Sequence, residues 1–411
     1  MRIQRCKGTR DLSPEEMARF RLIEGTFRDC CLKAGYQEVR TPTLEYLHLF
    51  TSTGTLTPGT LGRVYSFLDW DGWSGERVVL RPDGTIPVAR LYIDTMEKKG
   101  LAKLFYVTNI FIFEETGKET RERWQCGAEL IGAGSTIADV ELITLALEVV
   151  KRLGLEDVEL RLSHAGLIRS LLARFGLDPE EQARVFDQIL DGDAKALRNL
   201  KARSPELGKT LAPLLDLKGK SSGFLRNLKV LFNEDLPEFN THLDDFTGIV
   251  ELLESLDYNY QIDIASGRGF EYYTGAIFQL FYGKERIGGG GRYDALVPLM
   301  GGRDIPASGF ALYLDPLMEL TESQSSSRPR VQRILVRTRS NQPQIVREGF
   351  RIAGSLRQAG YVAELDLGGQ EPPELGWILE VQDKEPPYIL TDLTQHKNFT
   401  AQNLEDVLKR L

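Results

Sequence analysis

An arginine, a carboxylate and two tyrosines crowd residues 268–273, within the string Gly267-Arg268-Gly269-Phe270-Glu271-Tyr272-Tyr273-Thr274-Gly275. Such a set can read a small zwitterion that carries a polar ring: a guanidinium takes a carboxylate, a carboxylate takes an ammonium, and phenol hydroxyls bond ring nitrogens. A second glycine-rich string, GGGGRYD, follows at residues 288–294. The same pair of strings also suits an ordinary glycine-rich hairpin with half-buried tyrosines, so the assignment needs support from elsewhere in the chain.

Alternation supplies a second cluster. Residues 121–130 predict a strand, and successive strand side chains point to opposite faces. Trp124, Cys126, Ala128 and Leu130 then share an apolar face, while Arg121, Arg123, Gln125, Gly127 and Glu129 share the other. The apolar face packs; the polar one looks either into a cleft or into solvent.

The elements that must position these residues can be read in outline. Ser13 before Pro14, with Glu16 three residues on, predicts a capped helix over residues 14–34 that stops at Gly35. The strand VELRLS, after Asp157, gives way to helical sequence over residues 165–254, broken at Gly176, Pro205, Pro213 and the loop 219–223. A polar stretch, residues 321–329 (TESQSSSRP), reads as a linker. Beyond it Arg328, Arg330, Arg333, Arg337 and Arg339 surround a short strand; a helix over 342–359, Gly360 as its cap and a strand over 361–367 follow. Residues 368–376, with Pro372 and Pro373, are too short and broken for a crossover helix, so the strand 377–381 is expected to join other than in parallel. The arginines suit either an RNA footprint or a solvated basic edge.

Composition bounds the function class. The chain has 411 residues, 42% of them hydrophobic, and a formal net charge of -8, with pI near 5.4. It can bury large cores in two or three domains. The acidic balance argues against a protein that wraps a nucleic-acid backbone. No apolar run reaches membrane-spanning length, and residues 1–5 lead into no secretory core, so a cytoplasmic protein is expected. Cys6, Cys30, Cys31 and Cys126 lack metal-ligand spacing, as do His48, His164, His242 and His396, which look scattered. Leu207-Gly208-Lys209-Thr210 ends like a phosphate loop, but Arg203 stands where its first glycine belongs.

Read in order, several segments together resemble the catalytic core of histidyl-tRNA synthetase: Lys7–Leu12, Tyr36–Pro42, Leu80–Thr85, Phe111–Gly132, the two glycine-rich strings and Pro306–Leu317. The resemblance implies an α+β fold: a class II aminoacyl-tRNA synthetase-like antiparallel sheet with flanking helices over 1–158 and 255–320, a helical insertion over 159–254, and a reduced anticodon-binding-like α/β domain over 330–411. It also implies a histidine site. Asp83, where the family has Glu, would hold the α-ammonium; Thr85, Gln125 and Glu129 match as they stand; Arg268 would face the α-carboxylate; Tyr272 and Tyr273 would read the imidazole.

The chain departs from that family where ATP is handled. The arginine that grips the α-phosphate follows a phenylalanine, and Ile112 stands there; Pro316 stands at the arginine of the third motif, and Tyr313 replaces a glycine beside the adenine. Adenylation needs fixed positive charge at phosphorus. The combination resembles the regulatory-subunit family of ATP phosphoribosyltransferase. It implies a non-catalytic partner of the short catalytic subunit that senses L-histidine in the first step of histidine biosynthesis, a homodimer within a hetero-oligomer, and no catalytic residue, cofactor or metal of its own, with no membrane and with tRNA not expected as a partner. A divergent active synthetase and a stand-alone histidine sensor are the alternatives.

Overall fold

The computed structural model describes residues 4–54, 62, 64–69, 75–113, 120–190, 198–199, 202, 218–232, 237–264, 272–321, 333–369 and 375–411. The chain divides into two units, Met1–Ser325 and Ser326–Leu411. Residues 203–210, with the phosphate-loop-like string, and the linker beyond Thr321 lie outside the described residues.

The first unit is organised by a nine-stranded sheet. In spatial order its strands are Gln37–Glu38 (β1), Ala102–Phe111 (β5), Glu122–Ile131 (β6), Ala307–Tyr313 (β12), Glu285–Arg292 (β11), Ala276–Tyr282 (β10), Val158–His164 (β7), Gln261–Asp263 (β9) and Lys218–Gly219 (β8). Its middle is antiparallel, and only β1 with β5 and β7 with β9 run parallel. β7 is bonded along its length to β10, so the strand belongs to this sheet. A separate three-stranded sheet joins Leu44–Tyr46 (β2), Glu76–Leu80 (β4) and Ser66–Asp69 (β3).

One face of the large sheet is covered by helices. Helix α1 (Pro14–Lys33) starts at a complete capping box: Ser13 Oγ accepts from the Glu16 amide at 3.2 Å and Glu16 Oε2 accepts from the Ser13 amide at 2.7 Å. Its buried residues Phe20, Ile23, Phe27, Cys30 and Cys31 recur at the three-to-four spacing that makes one stripe. Phe27 meets Phe105 and Phe310 edge-on, and Phe20 meets Trp124 at 5.1 Å. Each fully buried phenylalanine contributes roughly 1.5–3 kcal/mol of transfer free energy. Among the described residues the other α-helices of the unit are α2 (Thr85–Thr95), α3 (Thr136–Arg152), α4 (Ala165–Ala173), α5 (Pro179–Leu190), α6 (Ser222–Phe232), α7 (Pro237–Ser255) and α8 (Leu314–Leu320), besides shorter ones.

Arg81 fastens the second, open side. Its buried guanidinium donates to the Thr41 carbonyl at 2.9 Å, the Pro42 carbonyl at 3.0 Å, the Asn109 carbonyl at 2.8 Å and the Asn109 side chain at 2.9 Å. Five N–H groups in one plane let a single side chain tie the turn after β4 to the segment before β2 and to β5.

The second unit is a five-stranded sheet in the order Val362–Leu365 (β14), Arg333–Thr338 (β13), Trp377–Val381 (β15), Tyr388–Asp392 (β16), Lys397–Ala401 (β17). Helix α9 (Pro343–Gln358) buries Ile352, Ala353 and Leu356 on it and ends at Gly360, whose φ of 93° suits glycine; α10 (Leu404–Leu408) closes the chain. The expectation that residues 377–381 would avoid parallel pairing is corrected, since β15 pairs in parallel with β13. The eleven residues between Leu365 and Trp377 can reach roughly 35 Å when extended. Crossing one strand needs that reach, not a helix.

Replacing Arg81 with Met should remove the donor from the Thr41, Pro42 and Asn109 carbonyl groups. A loss of about 3 kcal/mol in denaturant unfolding of the first unit is expected; an unchanged midpoint would remove Arg81 from this role.

Candidate functional site

The cleft face of the sheet is set by register. Gln125 opposes Tyr313, Gly127 opposes Ala311, and Glu129 opposes Gly309, so these side chains share one face. Gly309 lies beside Gly291 on the next strand. The glycines serve as a floor on which polar side chains lie flat. A Cβ on Gly309 would overlap the Glu129 carboxylate, and one on Gly127 would overlap the Tyr106 ring. Tyr273 rests on Gly291, where a Cβ would stand 2.9 Å from its ring.

Glu129 is the centre of the site. Oε1 accepts from Thr85 Oγ1 at 2.7 Å and from the Tyr106 hydroxyl at 3.3 Å, and Oε2 accepts from the Tyr293 hydroxyl. Gln125 Nε2 donates to the Tyr106 hydroxyl at 3.2 Å. Every partner in this network is neutral. Burial therefore pushes the Glu129 carboxyl up to about 8, against the pull of the Tyr293 and Thr85 hydroxyls, and nearby Asp83 adds to the rise.

Asp83 sits at the start of α2, where Oδ2 accepts from the Ile86 amide at 2.8 Å. A carboxylate there is favoured by the helix end. Burial still raises its pKa to about 6, and Oδ1 is buried with no hydrogen-bond partner. Tyr272 stands edge-on to both Tyr273 and Tyr293, with centroids 5.4 and 5.5 Å apart. Burial raises all three phenols well above their ordinary value, so they act as neutral donors.

The structure thus brings Asp83, Thr85, Gln125, Glu129, Tyr272 and Tyr273 to one place, whereas Arg268 lies outside the described residues. Sequence reasoning missed Tyr106 and Tyr293. Tyr293 lies inside the GGGGRYD string, and Tyr106 holds an interior position of β5, where tyrosine reads as packing. The three positions flagged on the ATP side carry no cation. Ile112 follows β5, its amide bonded to the Arg121 carbonyl; Tyr313 ends β12; Pro316 is the third residue of α8, where its missing N–H costs the helix nothing. Arg121 stacks on Phe113 at 4.5 Å and donates to Tyr65 at 3.2 Å, and Arg10 pairs with Asp315.

Two expectations about other residues change. His164 and His242 look scattered in sequence, yet their rings lie 5.2 Å apart. His164 caps α4 by accepting from the Leu167 amide at 3.4 Å, its other nitrogen is 3.3 Å from Asp245, and burial holds the His242 pKa down. Among the described residues no group of three or more His, Cys, Asp or Glu could hold a metal. In the second unit Arg333, Arg337 and Arg339 pair with Glu364, Asp366 and Glu380. Over residues 326–411 twelve Lys and Arg face eleven Asp and Glu, so the unit has no basic excess.

Against known proteins, residues 8–317 match the family model described as histidyl-tRNA synthetase. This chain belongs to the histidyl-tRNA synthetase family. A Dehalococcoides mccartyi (strain BAV1) protein named ATP phosphoribosyltransferase regulatory subunit is 51% identical over 406 residues, covering 99% of this chain and 98% of the relative. That places the chain among the regulatory subunits within the family. A histidine–tRNA ligase of Archaeoglobus fulgidus is 33% identical, covering 98% of this chain and 96% of the relative. For the fold, a Bacillus halodurans structure titled as an ATP phosphoribosyltransferase regulatory subunit/histidyl-tRNA synthetase superposes with TM-score 0.78 at 24% identity, covering 93% of this chain and 99% of that one. The class II synthetase-like α+β architecture is therefore shown. Among the described residues no helix is long and apolar enough to cross a membrane.

Within this synthetase-like core the raised carboxyl has a consequence for pH. Glu129 titrates near 4.5 when unfolded and near 8 when folded, so between those values the folded chain holds a proton that the unfolded chain has released. Stability is then fully present below pH 4.5 and is lost as pH rises toward 8, by on the order of a few kcal/mol. Glu129→Gln should flatten a melting curve measured from pH 5.5 to 8.5; identical slopes for both proteins would refute the buried-carboxyl account. Gly309→Ala should cost about 1–3 kcal/mol by displacing Glu129, read as a lower melting temperature.

Proposed function

We propose that this chain is a non-catalytic regulatory subunit of ATP phosphoribosyltransferase, which activates a short catalytic subunit and relays feedback inhibition by L-histidine in the first step of histidine biosynthesis. One observation carries the reading: the pocket keeps two buried carboxyls, Asp83 and Glu129, with neutral partners only, while Ile112, Tyr313 and Pro316 occupy the positions that would handle ATP. A buried Asp83 Oδ1 without a partner suits an ammonium, and the Glu129, Tyr106 and Tyr293 cluster suits an imidazole with one donor and one acceptor nitrogen. Thr85 and Gln125 fix the orientation of that cluster, and Tyr272 and Tyr273 wall it. Arg268 is assigned to the α-carboxylate side.

Synthetase activity is absent on this reading. Each lost charge-stabilising donor lowers a rate about 10²- to 10³-fold, so two lower it on the order of 10⁴-fold. Ion pairing of Arg333, Arg337 and Arg339 within the second unit leaves little for RNA, which supports a chain that does not engage tRNA. The working assembly is a homodimer within a cytoplasmic hetero-oligomer, and histidine bound here changes turnover on the partner by a coupling of about 1–3 kcal/mol.

Calorimetry should give saturable L-histidine binding, weakened about 10- to 100-fold in Glu129→Ala, with no ATP–pyrophosphate exchange. Adding the chain to a short-form catalytic subunit should stimulate it, and histidine should reverse the stimulation. Measurable exchange, or a catalytic subunit indifferent to the chain, would reject the proposal.

A further inference from the structure

Beside the zwitterion pocket, on the same face of the sheet, stands a cation to which no role has been given. The ladder between β10 and β11 shifts register: Leu280 opposes Gly288, but Phe281 opposes Arg286, so Ile287 is an extra residue. The bulge sends Ile287 into the helix-side core, where it is fully buried, and turns Arg286 to the cleft side. The Arg286 guanidinium lies over the Tyr313 ring at 5.5 Å. It passes close to Gly289, where a Cβ would meet Nη2 at 3.3 Å and the Phe278 carbonyl at 2.7 Å. Gly289 and Gly291 are two apart on β11, and Tyr273 rests on the latter, so Arg286 stands one step along the strand from the tyrosines that wall the pocket.

The electrostatics of this arginine differ from those of its neighbours. Arg161, on the same face, is bound by both oxygens of Glu159, at 2.8 and 3.1 Å. Among the described residues, Arg286 Nε is buried with no hydrogen-bond partner. A guanidinium that has given up part of its water and, among the described residues, is paired with no anion is incompletely satisfied, and its planar edge matches a two-oxygen anion. Tyr313 supplies the flat surface that keeps that edge oriented.

We infer that Arg286, stacked on Tyr313 above Gly289, forms an oxyanion subsite adjoining the Asp83 and Glu129 pocket. The chemistry recognised is a planar or tetrahedral oxyanion, carboxylate or phosphate. It belongs either to the amino acid in the pocket or to a separate phosphate-bearing molecule, and the first case rests on the histidine reading given above. The residue that replaces a glycine on the nucleotide side then has a positive use: the ring that fills the adenine position also presents the cation.

Titration calorimetry of the full chain with L-histidine, L-histidinol and inorganic pyrophosphate, on wild type, Arg286→Gln and Arg286→Lys, tests this. Arg286→Gln should weaken one anionic probe at least about 10-fold, leave histidinol unchanged, and melt within a few degrees of wild type, with Arg286→Lys between the two; if the Gln variant does not fold, the Lys variant carries the comparison. Loss confined to histidine assigns the subsite to the ligand's own carboxylate; loss confined to pyrophosphate assigns it to a separate phosphate. Equal affinity of wild type and variant for both anions overturns the inference, as does equal weakening of histidine and histidinol. A wild type that ignores histidine but binds pyrophosphate through Arg286 would sink the histidine reading and leave the subsite standing.

Discussion

Burying a carboxyl group among uncharged hydrogen-bond donors is costly, and this fold does it twice at one site. Asp83 and Glu129 are held by backbone amides, a threonine and tyrosine hydroxyls, none of which carries charge. Much of the surrounding construction follows from that constraint. The carboxyls have to be placed where neutral donors converge, and convergence requires side chains from four separate elements to lie flat on the sheet. Glycine at 127, 291 and 309 is what allows them to.

The two faces of the sheet divide the work accordingly. On the helix side, Phe27, Phe105 and Phe310 interlock, and the burial there is apolar and indifferent to ligand. On the open side, Arg81 directs a buried cation at carbonyl groups, the Thr41 hydroxyl and Asn109, fixing the turn from which Asp83 projects. Rigidity comes from one face and polarity from the other, and strand alternation lets a single residue pair such as Ala128 and Glu129 serve both.

Much of this was legible in the sequence. The capping box at Ser13 and Glu16 was readable because it is a local rule, and the two faces of β6 because alternation has a fixed period. The family resemblance is what singles out Ile112, Tyr313 and Pro316. What stayed hidden depends on register between distant strands. Tyr106 and Tyr293 meet over Glu129 only once β5, β6 and β11 are aligned, and a neutral tyrosine in a strand carries no signal that it will face a carboxyl. The bulge at Ile287 is likewise invisible without its partner strand, and it decides which way Arg286 points. His164 and His242 meet because β7 and α7 are packed together, not because of spacing. The parallel pairing of β15 is hidden in the sequence because a connection without room for the usual helical crossover can still supply the chain reach that the pairing needs.

The glycine floor has a consequence for how such a protein can change. Side chains resting on it interlock, so enlarging one floor position displaces Glu129, Tyr106 or Tyr273 together with whatever each of them holds. No single substitution walks the cavity toward a different guest while keeping the old one bound. The floor thus ties the shape of the cavity to several side chains at once.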